Sequence, residues 1–338
     1  MSRTPNPCAG RPIEQVSIAV VTGLCQLRCV YCPTHDIQRA RGFVDVDFVA
    51  SLLGQVQPRI VNLQGYGEPT LHPEFRRLVT LARQHAPIVK FFSHLNRWTA
   101  ELADFVVEAG VRQVIVSLDA TDRVTYARVR RRGDFDDLLA GVRFLSDAID
   151  RSGAVHPEIL YNIVVVRDTV EQISKVVEFV RGLGLGQPVY ELVNSYGDAA
   201  IGALEEPDRA LVRHQLLTAR AKAAEFGWMR TLQNIDFNLA SLEEVDVDAF
   251  RCYRPWRLLT VLEDGGVVPC GEYHEGQVLF GNLRNQSVAE VWDGPSARGF
   301  RERLLQGRSG LEVCRRCTVN EGATADFFDT WIEPPDVR

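Results

Sequence analysis

The sequence predicts an α/β protein, a partial (β/α)6 TIM-like barrel followed by a small C-terminal α+β domain. From residue 15 to about residue 196, short apolar runs typical of strands alternate with amphipathic stretches typical of helices, giving six βα units. Beyond about residue 235 the pattern is less regular, and four of the eight cysteines lie there. We therefore expect an N-terminal extension at 1–14, the barrel at 15–235 and the C-terminal domain at 236–338.

The six predicted strands are short and rich in apolar residues. They lie at 16–21, 59–63, 88–92, 113–118, 159–166 and 188–193. Apolar residues recur at helical spacing over 134–150 and 169–181, and a further helix is predicted at 205–226. Parallel βα sheets hold their ligands at the carboxyl ends of the strands, so the residues that directly follow these strands are the functional candidates.

The C-terminal segment contains a predicted hairpin over residues 257–268. It turns at Asp264-Gly265-Gly266, because an aspartate–glycine pair supplies the positive φ that tight hairpin turns need. Cys252 precedes this hairpin and Cys270 follows it. Two short helical stretches, at 288–292 and 297–305, then lead to the pair Cys314 and Cys317.

Composition and charge exclude several classes of function. A net charge of -6 argues against a general nucleic-acid or anionic-membrane binder, because such proteins need a basic surface. No apolar run reaches the roughly 18 residues of a membrane span, and the first residues lack the apolar core of a signal peptide. We therefore expect a cytoplasmic protein whose cysteines are metal ligands rather than disulfide partners. Cys8 alone falls outside the ligand-like groups.

Three cysteines, Cys25, Cys29 and Cys32, have the spacing C-x-x-x-C-x-x-C directly after the first predicted strand. A 4Fe-4S cluster normally takes four cysteine thiolates, so three leave one iron open to an external ligand. An open coordination position distinguishes a catalytic metal site from a structural one. Zinc is the competing interpretation, but zinc sites usually close with four ligands and no histidine within the triplet completes such a set.

The four C-terminal cysteines, Cys252, Cys270, Cys314 and Cys317, form a second candidate ligand set. Four thiolates can hold a 4Fe-4S cluster or a single zinc ion. The spacing alone favours neither metal.

The cysteine triplet, with Tyr31 just before its last cysteine, resembles the cluster loop of the radical S-adenosylmethionine (radical SAM) enzymes. Gly67-Glu68-Pro69 is similar to the G-E-P element of that family, and Ser117-Leu118-Asp119 to its S-x-D element. Asn96 stands at the T-N-G position, although Arg97 replaces the usual glycine.

Arg130 matches an arginine that pairs with the SAM carboxylate in that family, a role suited to a planar donor fork. The resemblance implies that Cys25, Cys29 and Cys32 hold a 4Fe-4S cluster. It also implies a set of SAM contacts, namely Tyr31, Gly67, Glu68, Asn96, Ser117, Asp119 and Arg130.

The C-terminal segment resembles the SPASM and Twitch domains of the radical SAM enzymes, through Cys252-x-x-Pro255-Trp256, Gly281-Asn282-Leu283 and the late C-x-x-C pair. A full SPASM domain holds two auxiliary clusters and uses more cysteines than this chain, which has none after Cys317. The resemblance therefore implies one auxiliary 4Fe-4S cluster with all four irons ligated, by Cys252, Cys270, Cys314 and Cys317.

The resemblance also implies the reaction type. In the family, a one-electron reductant such as flavodoxin or ferredoxin leads to a 5'-deoxyadenosyl radical, which removes hydrogen from an unactivated C–H bond. A fully ligated auxiliary cluster has no vacant iron to hold substrate, so accepting an electron is its expected task. We therefore expect oxidation of an alcohol in a small sugar-like or aminocyclitol-like molecule of natural-product biosynthesis.

His94, Glu191 and Tyr66 are the expected catalytic residues, because they lie near predicted strand ends. Further polar groups expected at the barrel mouth are Gln64, Asn194, Tyr196, Arg254, Glu272, Tyr273 and His274. Three alternatives stay open: modification of a ribosomal peptide, a redox-neutral epimerisation, decarboxylation or dehydration, and a non-enzymatic metal-binding scaffold. Neither a nucleic acid nor a membrane is an expected partner.

Overall fold

In the computed structural model, six parallel strands lie side by side in the order in which they occur in the chain. The structure describes residues 13–35, 37–192, 206–243, 246–248, 252–273 and 275–317. The strands are β1 (Gln15–Thr22), β2 (Arg28–Cys29), β3 (Gly42–Phe43), β4 (Ile60–Tyr66), β5 (Ile88–Ser93), β6 (Gln113–Ser117), β7 (Arg130–Arg131), β8 (Glu158–Val165), β9 (Gln187–Leu192), β10 (Leu258–Val261), β11 (Gly266–Val268) and β12 (Gly281–Asn282).

Helices follow or separate these strands. They are α1 (Val46–Val56), α2 (Phe75–His85), α3 (Ala100–Glu108), α4 (Arg123–Val129), α5 (Phe135–Ser152), α6 (Ile173–Leu183), α7 (Glu206–Glu225), α8 (Met229–Glu243), α9 (Arg254–Arg257), α10 (Val288–Trp292) and α11 (Pro295–Gln306). Each of the six predicted strands is present, and its ends differ from the prediction by at most a few residues. The last predicted strand, at 188–193, includes residue 193, which lies outside the described residues.

The main sheet has the order β12-β11-β10-β1-β4-β5-β6-β8-β9, with β3 antiparallel to β1. Within the described residues no pairing joins β9 to β12, so the sheet is open. The predicted α/β class is confirmed, whereas its curvature into a partial barrel stays a prediction. The predicted hairpin is also confirmed: β10 and β11 are antiparallel, and Gly265 in the turn has φ 88°.

The C-terminal hairpin extends the main sheet, because β10 pairs in parallel with β1. The predicted domain boundary at residue 235 lies inside α8. That helix is bound to β9: the Tyr190 N–H donates to Asn234 Oδ1 at 2.6 Å, and Asn234 Nδ2 donates to the Tyr190 carbonyl at 3.1 Å. Residue 235 thus lies in a helix that is bound to the preceding strand, and the division into domains stays a prediction.

The helices begin where short polar side chains satisfy their first N–H groups. Asp45 accepts from the N–H groups of Asp47 and Phe48 ahead of α1, and Asp134 accepts from two N–H groups ahead of α5. Gly153, with φ 64°, ends α5 in the left-handed conformation that glycine adopts at low cost. These caps fix where each helix starts and stops relative to its strand.

The apolar faces of the helices bury one side of the sheet in a large core, as their spacing predicts. The other side carries smaller apolar groups, namely Ile60 with Ile88, Ile115 with Leu160 and Val189, and Val164 with Val129 and Val166. The remaining side chains on that inner side are mostly polar, and they can form hydrogen bonds to a polar ligand. In the part of the chain that the structure describes, none of the helices combines the length and the apolarity of a membrane span.

Candidate metal and cofactor site

A cavity of about 440 Å³ lies on the inner side of the sheet and extends from the strand ends into the sheet interior. All three cysteines of the triplet line it, and so do polar residues from the C-terminal segment, such as Arg254 and Glu272. Its size is that of a pocket for a small molecule or cofactor. The cavity therefore reaches the carboxyl ends of the parallel strands, where the sequence predicts the functional site.

The cysteine loop is tied to the end of β4 by backbone contacts. The Gly23 N–H donates to the Tyr66 carbonyl at 2.7 Å, and the Glu68 N–H donates to the Leu24 carbonyl at 3.0 Å. A Cβ on Gly67 would lie only 2.5 Å from the Leu24 carbonyl oxygen, so only glycine lets the two loops approach this closely. The G-E-P element therefore shapes the cysteine loop as well as the cavity.

A second tie joins the loop to Arg130. The two-residue strands β2 and β7 pair antiparallel, with Cys29 opposite Arg130. The Val30 N–H donates to the Val129 carbonyl at 2.9 Å. The guanidinium of Arg130 then lies 3.7 Å from Cys29 Sγ, through Nη1.

The thiols of the triplet suit a polynuclear metal site. All three are free of disulfides and partly exposed to the cavity. Burial chiefly, together with the negative charges of Glu68 and the neighbouring thiolates, raises the pKa of Cys25 to about 12, and burial raises the pKa of Cys29 to about 11. Bound metal would remove this penalty, because it stabilises thiolates directly. Within the described ranges, no group of three or more His, Cys, Asp and Glu side chains is arranged to hold a single metal ion.

Asp119 lies behind the cavity wall and holds two of its residues. Its Oδ2 accepts from the Tyr31 hydroxyl at 2.5 Å and pairs with Arg130 Nε at 2.8 Å, while its Oδ1 accepts from the Val164 N–H at 2.8 Å. The side chain is fully buried and its φ is 58°. Tyr31 and Arg130 line the cavity, but Asp119 does not. The geometry therefore makes Asp119 the support of two predicted SAM contacts.

Glu68 is a buried carboxylate held by donors from the chain itself. Its Oε1 accepts from the Thr70 and Ser93 hydroxyls at 2.8 and 2.9 Å, and its Oε2 accepts from the His94 N–H at 3.2 Å. Ser93 is fixed in turn, because it also accepts from Trp98 Nε1 at 3.0 Å. Glu68 thus lines the cavity in one preset orientation.

His94 lines the same cavity, but both of its ring nitrogens are engaged. Nδ1 accepts from the Asn96 N–H at 3.0 Å, so Nε2 carries the proton, which it shares with Gln26 Oε1 at 3.1 Å and Glu68 Oε2 at 3.2 Å. Burial lowers the pKa of His94 below its usual value, against the opposing effect of Glu68. A neutral histidine with no free nitrogen suits the positioning of Glu68 better than proton transfer.

Asn96 is likewise occupied within the protein. Its Oδ1 accepts from the Asp134 N–H at 2.7 Å, and its Nδ2 lies 3.1 Å from the Asp134 carbonyl and 3.3 Å from the Tyr126 hydroxyl. It does not line the cavity. Asn96 joins the end of β5 to the start of α5, whereas Ser117, at the end of β6, does line the cavity.

The C-terminal cysteines gather beside the same cavity. Tyr273 lies 3.3 Å from Cys314 Sγ through its hydroxyl, and the charges of Cys270 and Cys317 also act on it. Burial, with the charges of Glu272, Cys252 and Cys317, raises the pKa of Cys270 well above its usual value. The four cysteines of the predicted second ligand set thus lie in one neighbourhood, and their role as metal ligands stays a prediction.

Tyr66 lies near a cysteine of each group. It lines the cavity, and a Cβ on Gly271 would be 3.6 Å from its hydroxyl oxygen. Burial raises the pKa of Tyr66 well above its usual value, and the charges of Glu272, Cys270, Cys32 and Glu191 add to the effect. One cysteine of each group therefore acts on the same phenol.

Glu191 is the accessible carboxylate of the cavity. Its Oε2 accepts from Asn162 Nδ2 at 3.0 Å, and the rest of the side chain is exposed. This leaves Oε1 available to a ligand.

The sequence analysis missed several residues of the cavity, among them Ser93, Asn162, Asn62 and Lys90, and it also missed Gln26. Gln26 and Ser93 act through side-chain hydrogen bonds to His94 and Glu68, which no sequence motif marks. The predicted residues Cys8, Asn194, Tyr196 and His274 lie outside the described residues.

Comparison with known families matches two models along the chain. Residues 19–180 match the radical SAM superfamily, and residues 252–318 match SPASM, an iron–sulfur cluster-binding domain. The first spans β1 to most of α6, including every predicted SAM contact, and the second spans all four C-terminal cysteines. The two domains together imply 4Fe-4S clusters and SAM as cofactors.

Individual relatives agree with this assignment. A GTP 3',8-cyclase from Rhodopseudomonas palustris is 30% identical over 211 residues, which cover 58% of this chain and 57% of the cyclase, so the match spans little more than half of that enzyme. The structure of anSMEcpe with bound S-adenosylmethionine has a TM-score of 0.67 at 17% identity, covering 93% of this chain and 96% of that one. Streptococcus suis SuiB, bound to its precursor peptide SuiA, has a TM-score of 0.68 at 14% identity, covering 91% and 70%. The chain is therefore a member of the radical SAM superfamily that carries a SPASM iron–sulfur domain after its radical SAM domain.

Proposed function

We propose that the protein oxidises an alcohol carbon of a small polar substrate within a partial barrel. The observation that carries this proposal is the position of Tyr66, which lines the cavity with the cysteine triplet and lies close enough to Cys270 of the C-terminal group for its charge to act on the phenol. A substrate bound there would lie between two redox centres. Such an arrangement suits removal of two electrons in separate steps.

The residues present fit the cofactors that this reaction needs. Cys25, Cys29 and Cys32 would hold the cluster that binds SAM, and the four C-terminal cysteines would hold the second one. When bound, SAM and its cluster supply a 5'-deoxyadenosyl radical that takes a hydrogen atom, and the second cluster supplies an acceptor for the remaining electron. The external reductant would be a flavodoxin or ferredoxin.

The chain's own residues orient SAM and exclude water. We assign SAM contacts to Tyr31, Gly67, Glu68, Ser117 and Arg130, which line the cavity. We assign to Asn96 and Asp119 the positioning of those contacts, because neither reaches the cavity. His94 has the same positioning role toward Glu68.

Glu191 is the proposed proton acceptor. An alcohol that loses hydrogen from its carbon must also lose the hydroxyl proton to become a carbonyl, and Glu191 Oε1 is free to take it. Tyr66 would orient the same hydroxyl by a hydrogen bond from the opposite wall. Both side chains then act on the substrate itself.

The test is anaerobic. Reconstituted protein is incubated with SAM and dithionite, and 5'-deoxyadenosine is measured with and without a panel of sugars and aminocyclitols. We expect a substrate to increase its yield, and deuterium at the oxidised carbon to enter it. A protein fully loaded with iron that forms no 5'-deoxyadenosine would contradict the proposal and favour a metal-binding scaffold.

The role of the second cysteine group is tested with Cys314→Ala. We expect this variant to keep hydrogen abstraction and to lose the oxidised product. Substrate oxidation at the wild-type rate, in protein shown to lack the second cluster, would exclude the electron-acceptor role and favour a redox-neutral reaction.

Modification of a peptide is the second candidate, favoured by the fold shared with SuiB in its peptide complex. A nucleotide substrate is a further candidate, because the chain is similar in sequence to a GTP 3',8-cyclase. The same 5'-deoxyadenosine assay distinguishes these cases, with short hydroxyl-bearing peptides and GTP added to the panel.

A further inference from the structure

A row of polar side chains crosses the inner side of the sheet below the cysteine loops. Register places Thr260 beside Ser17, Ser17 beside Asn62, Asn62 beside Lys90, and Lys90 beside Gln113, on five neighbouring strands. Four of the five, all except Gln113, line the cavity. Inner positions of a small barrel are usually filled by apolar side chains, so a continuous polar row calls for an explanation.

The row contains polar atoms whose hydrogen bonds are unmet. Asn62 Oδ1 and Thr260 Oγ1 are buried, and neither has a hydrogen-bond partner among the residues that the structure describes. Buried polar groups are nearly always hydrogen-bonded in folded proteins. Both residues line the cavity, so a molecule bound there would be the nearest source of the missing bonds.

Lys90 is the cation of this row. Its side chain is only 5% exposed, and within the described residues it makes no hydrogen bond or ion pair. Glu158 is the acidic residue whose charge acts on Lys90. Its carboxylate already accepts hydrogen bonds from Arg230 Nε at 2.5 Å and from Gln113 Nε2 at 2.8 Å. An unpaired buried ammonium is costly, so this position makes sense when an anion completes it.

Burial, reinforced by the positive charges of Arg230 and Arg254, lowers the pKa of Lys90 to about 8. A bound anion would reverse this shift, because an opposite charge favours the ammonium form. Lys90 therefore places an ammonium group in the cavity wall that an anionic ligand would stabilise.

We propose that Lys90, with Asn62 beside it, forms a subsite that takes a carboxylate or phosphate group of a polyhydroxylated substrate. Lys90 donates to the anion and Asn62 Oδ1 accepts from a substrate hydroxyl, while Thr260, three strands along the same row, donates its hydroxyl to a more distant part of the substrate. This rests on the proposed function, because it names the substrate class of the same cavity: a sugar acid or a sugar phosphate.

The subsite also predicts where the substrate reacts. Lys90 is three residues before Ser93 at the end of β5, which places it about 10 Å below the strand ends at the rise of a strand. The cysteine triplet and Glu191 lie at those ends. The anionic group and the oxidised carbon are therefore at opposite ends of the substrate.

Calorimetry on the reconstituted full-length protein tests the subsite, with gluconate, glucose 6-phosphate, inorganic phosphate and glucose as probes. We expect at least one anion to bind about tenfold or more tightly than glucose. Lys90→Met should lose that preference, Lys90→Arg should keep most of it, and Lys175→Met, at an exposed position, should bind as wild type. Gluconate against the two phosphates separates a carboxylate site from a phosphate site.

Nuclear magnetic resonance of the wild-type protein gives a reading that needs no variant. The chain has three lysines, Lys90, Lys175 and Lys222, so lysine labelled with carbon-13 at Cε gives three signals. We expect the preferred anion to raise the pKa of Lys90 and to leave that of Lys175 unchanged. If no anion moves the Lys90 signal, or if Lys90→Met binds anions as wild type does, the subsite is refuted. Wild-type formation of 5'-deoxyadenosine is scored separately, so a failed subsite is distinguishable from a failed enzyme.

Discussion

The Tyr31 hydroxyl donates to Asp119 Oδ2 at 2.5 Å, and this bond joins the cysteine loop to the residue that follows β6. The same oxygen pairs with Arg130 Nε at 2.8 Å. A single fully buried carboxylate therefore sets the positions of an aromatic ring and a guanidinium in the cavity wall. Any change in Asp119 should act on both.

We predict that Asp119→Asn strongly destabilises the protein. The substitution leaves the Arg130 guanidinium buried beside a neutral amide, and breaking a buried ion pair costs about 3–5 kcal/mol. The free energy of unfolding in urea measures the effect. Asp104→Asn is the matched control, because Asp104 pairs with Arg151 on the surface and its loss should change stability little. If the two substitutions lowered the free energy of unfolding equally, the buried pair of Asp119 and Arg130 would stabilise the protein no more than a surface pair does.

We predict that Gly67→Ala displaces the cysteine loop. Its Cβ would meet the Leu24 carbonyl oxygen at 2.5 Å and Val21 Cγ1 at 2.6 Å, and the carbonyl oxygen cannot move away without shifting the backbone. Iron bound per chain after reconstitution should fall toward the amount held by the C-terminal cysteines alone. Gly54→Ala is the control, since that glycine lies in α1 with open space around it and should gain about 0.5–1 kcal/mol of stability. Full iron content in Gly67→Ala would contradict the prediction.

Much of this architecture is predictable from sequence, because it depends on local pattern. The strand-like runs, the helix spacing and the Asp264-Gly265 turn each express a short-range preference, and the structure contains all of them. The ligand cysteines are predictable for the same reason, since their spacing within each group reflects chemistry. The extension of the main sheet by β10 was not predicted, because strand pairing across more than 200 residues leaves no local signal.

Side-chain direction is the part that sequence left open. Asn96 and Asp119 occupy motif positions, yet they point into the protein, and Asp119 does so from a left-handed backbone conformation. Lys90 offers an instructive contrast. No motif marks Lys90 in the sequence, and only the strand register shows that its side chain faces the cavity.

We predict that His94 makes the protein less stable as the pH falls through about 6.5, the ordinary value for histidine. Its pKa is lowered in the folded state, so on acidification the unfolded chain takes up this proton first, and stability that is complete above that pH is lost below it. The free energy of unfolding is measured in urea from about pH 7.5 to 5.5, a range that spans this pKa. His94→Gln should show a shallower pH dependence, and His214→Gln, at an exposed position, should keep the wild-type slope. A wild-type slope in His94→Gln would mean that His94 is not held neutral.

We predict that Glu191→Gln separates hydrogen abstraction from product formation. The amide keeps its contact with Asn162 through its oxygen but cannot accept the substrate proton, and loss of a general base typically costs about 10²–10⁴-fold in rate. Deuterium from the substrate carbon should still enter 5'-deoxyadenosine, while the oxidised product falls by that factor. Glu243→Gln, on the exposed side of α8, is the matched control and should leave both readings unchanged. A Glu191→Gln variant that oxidised substrate at the wild-type rate would remove Glu191 from the mechanism, and the base would then have to be sought among residues such as Glu272.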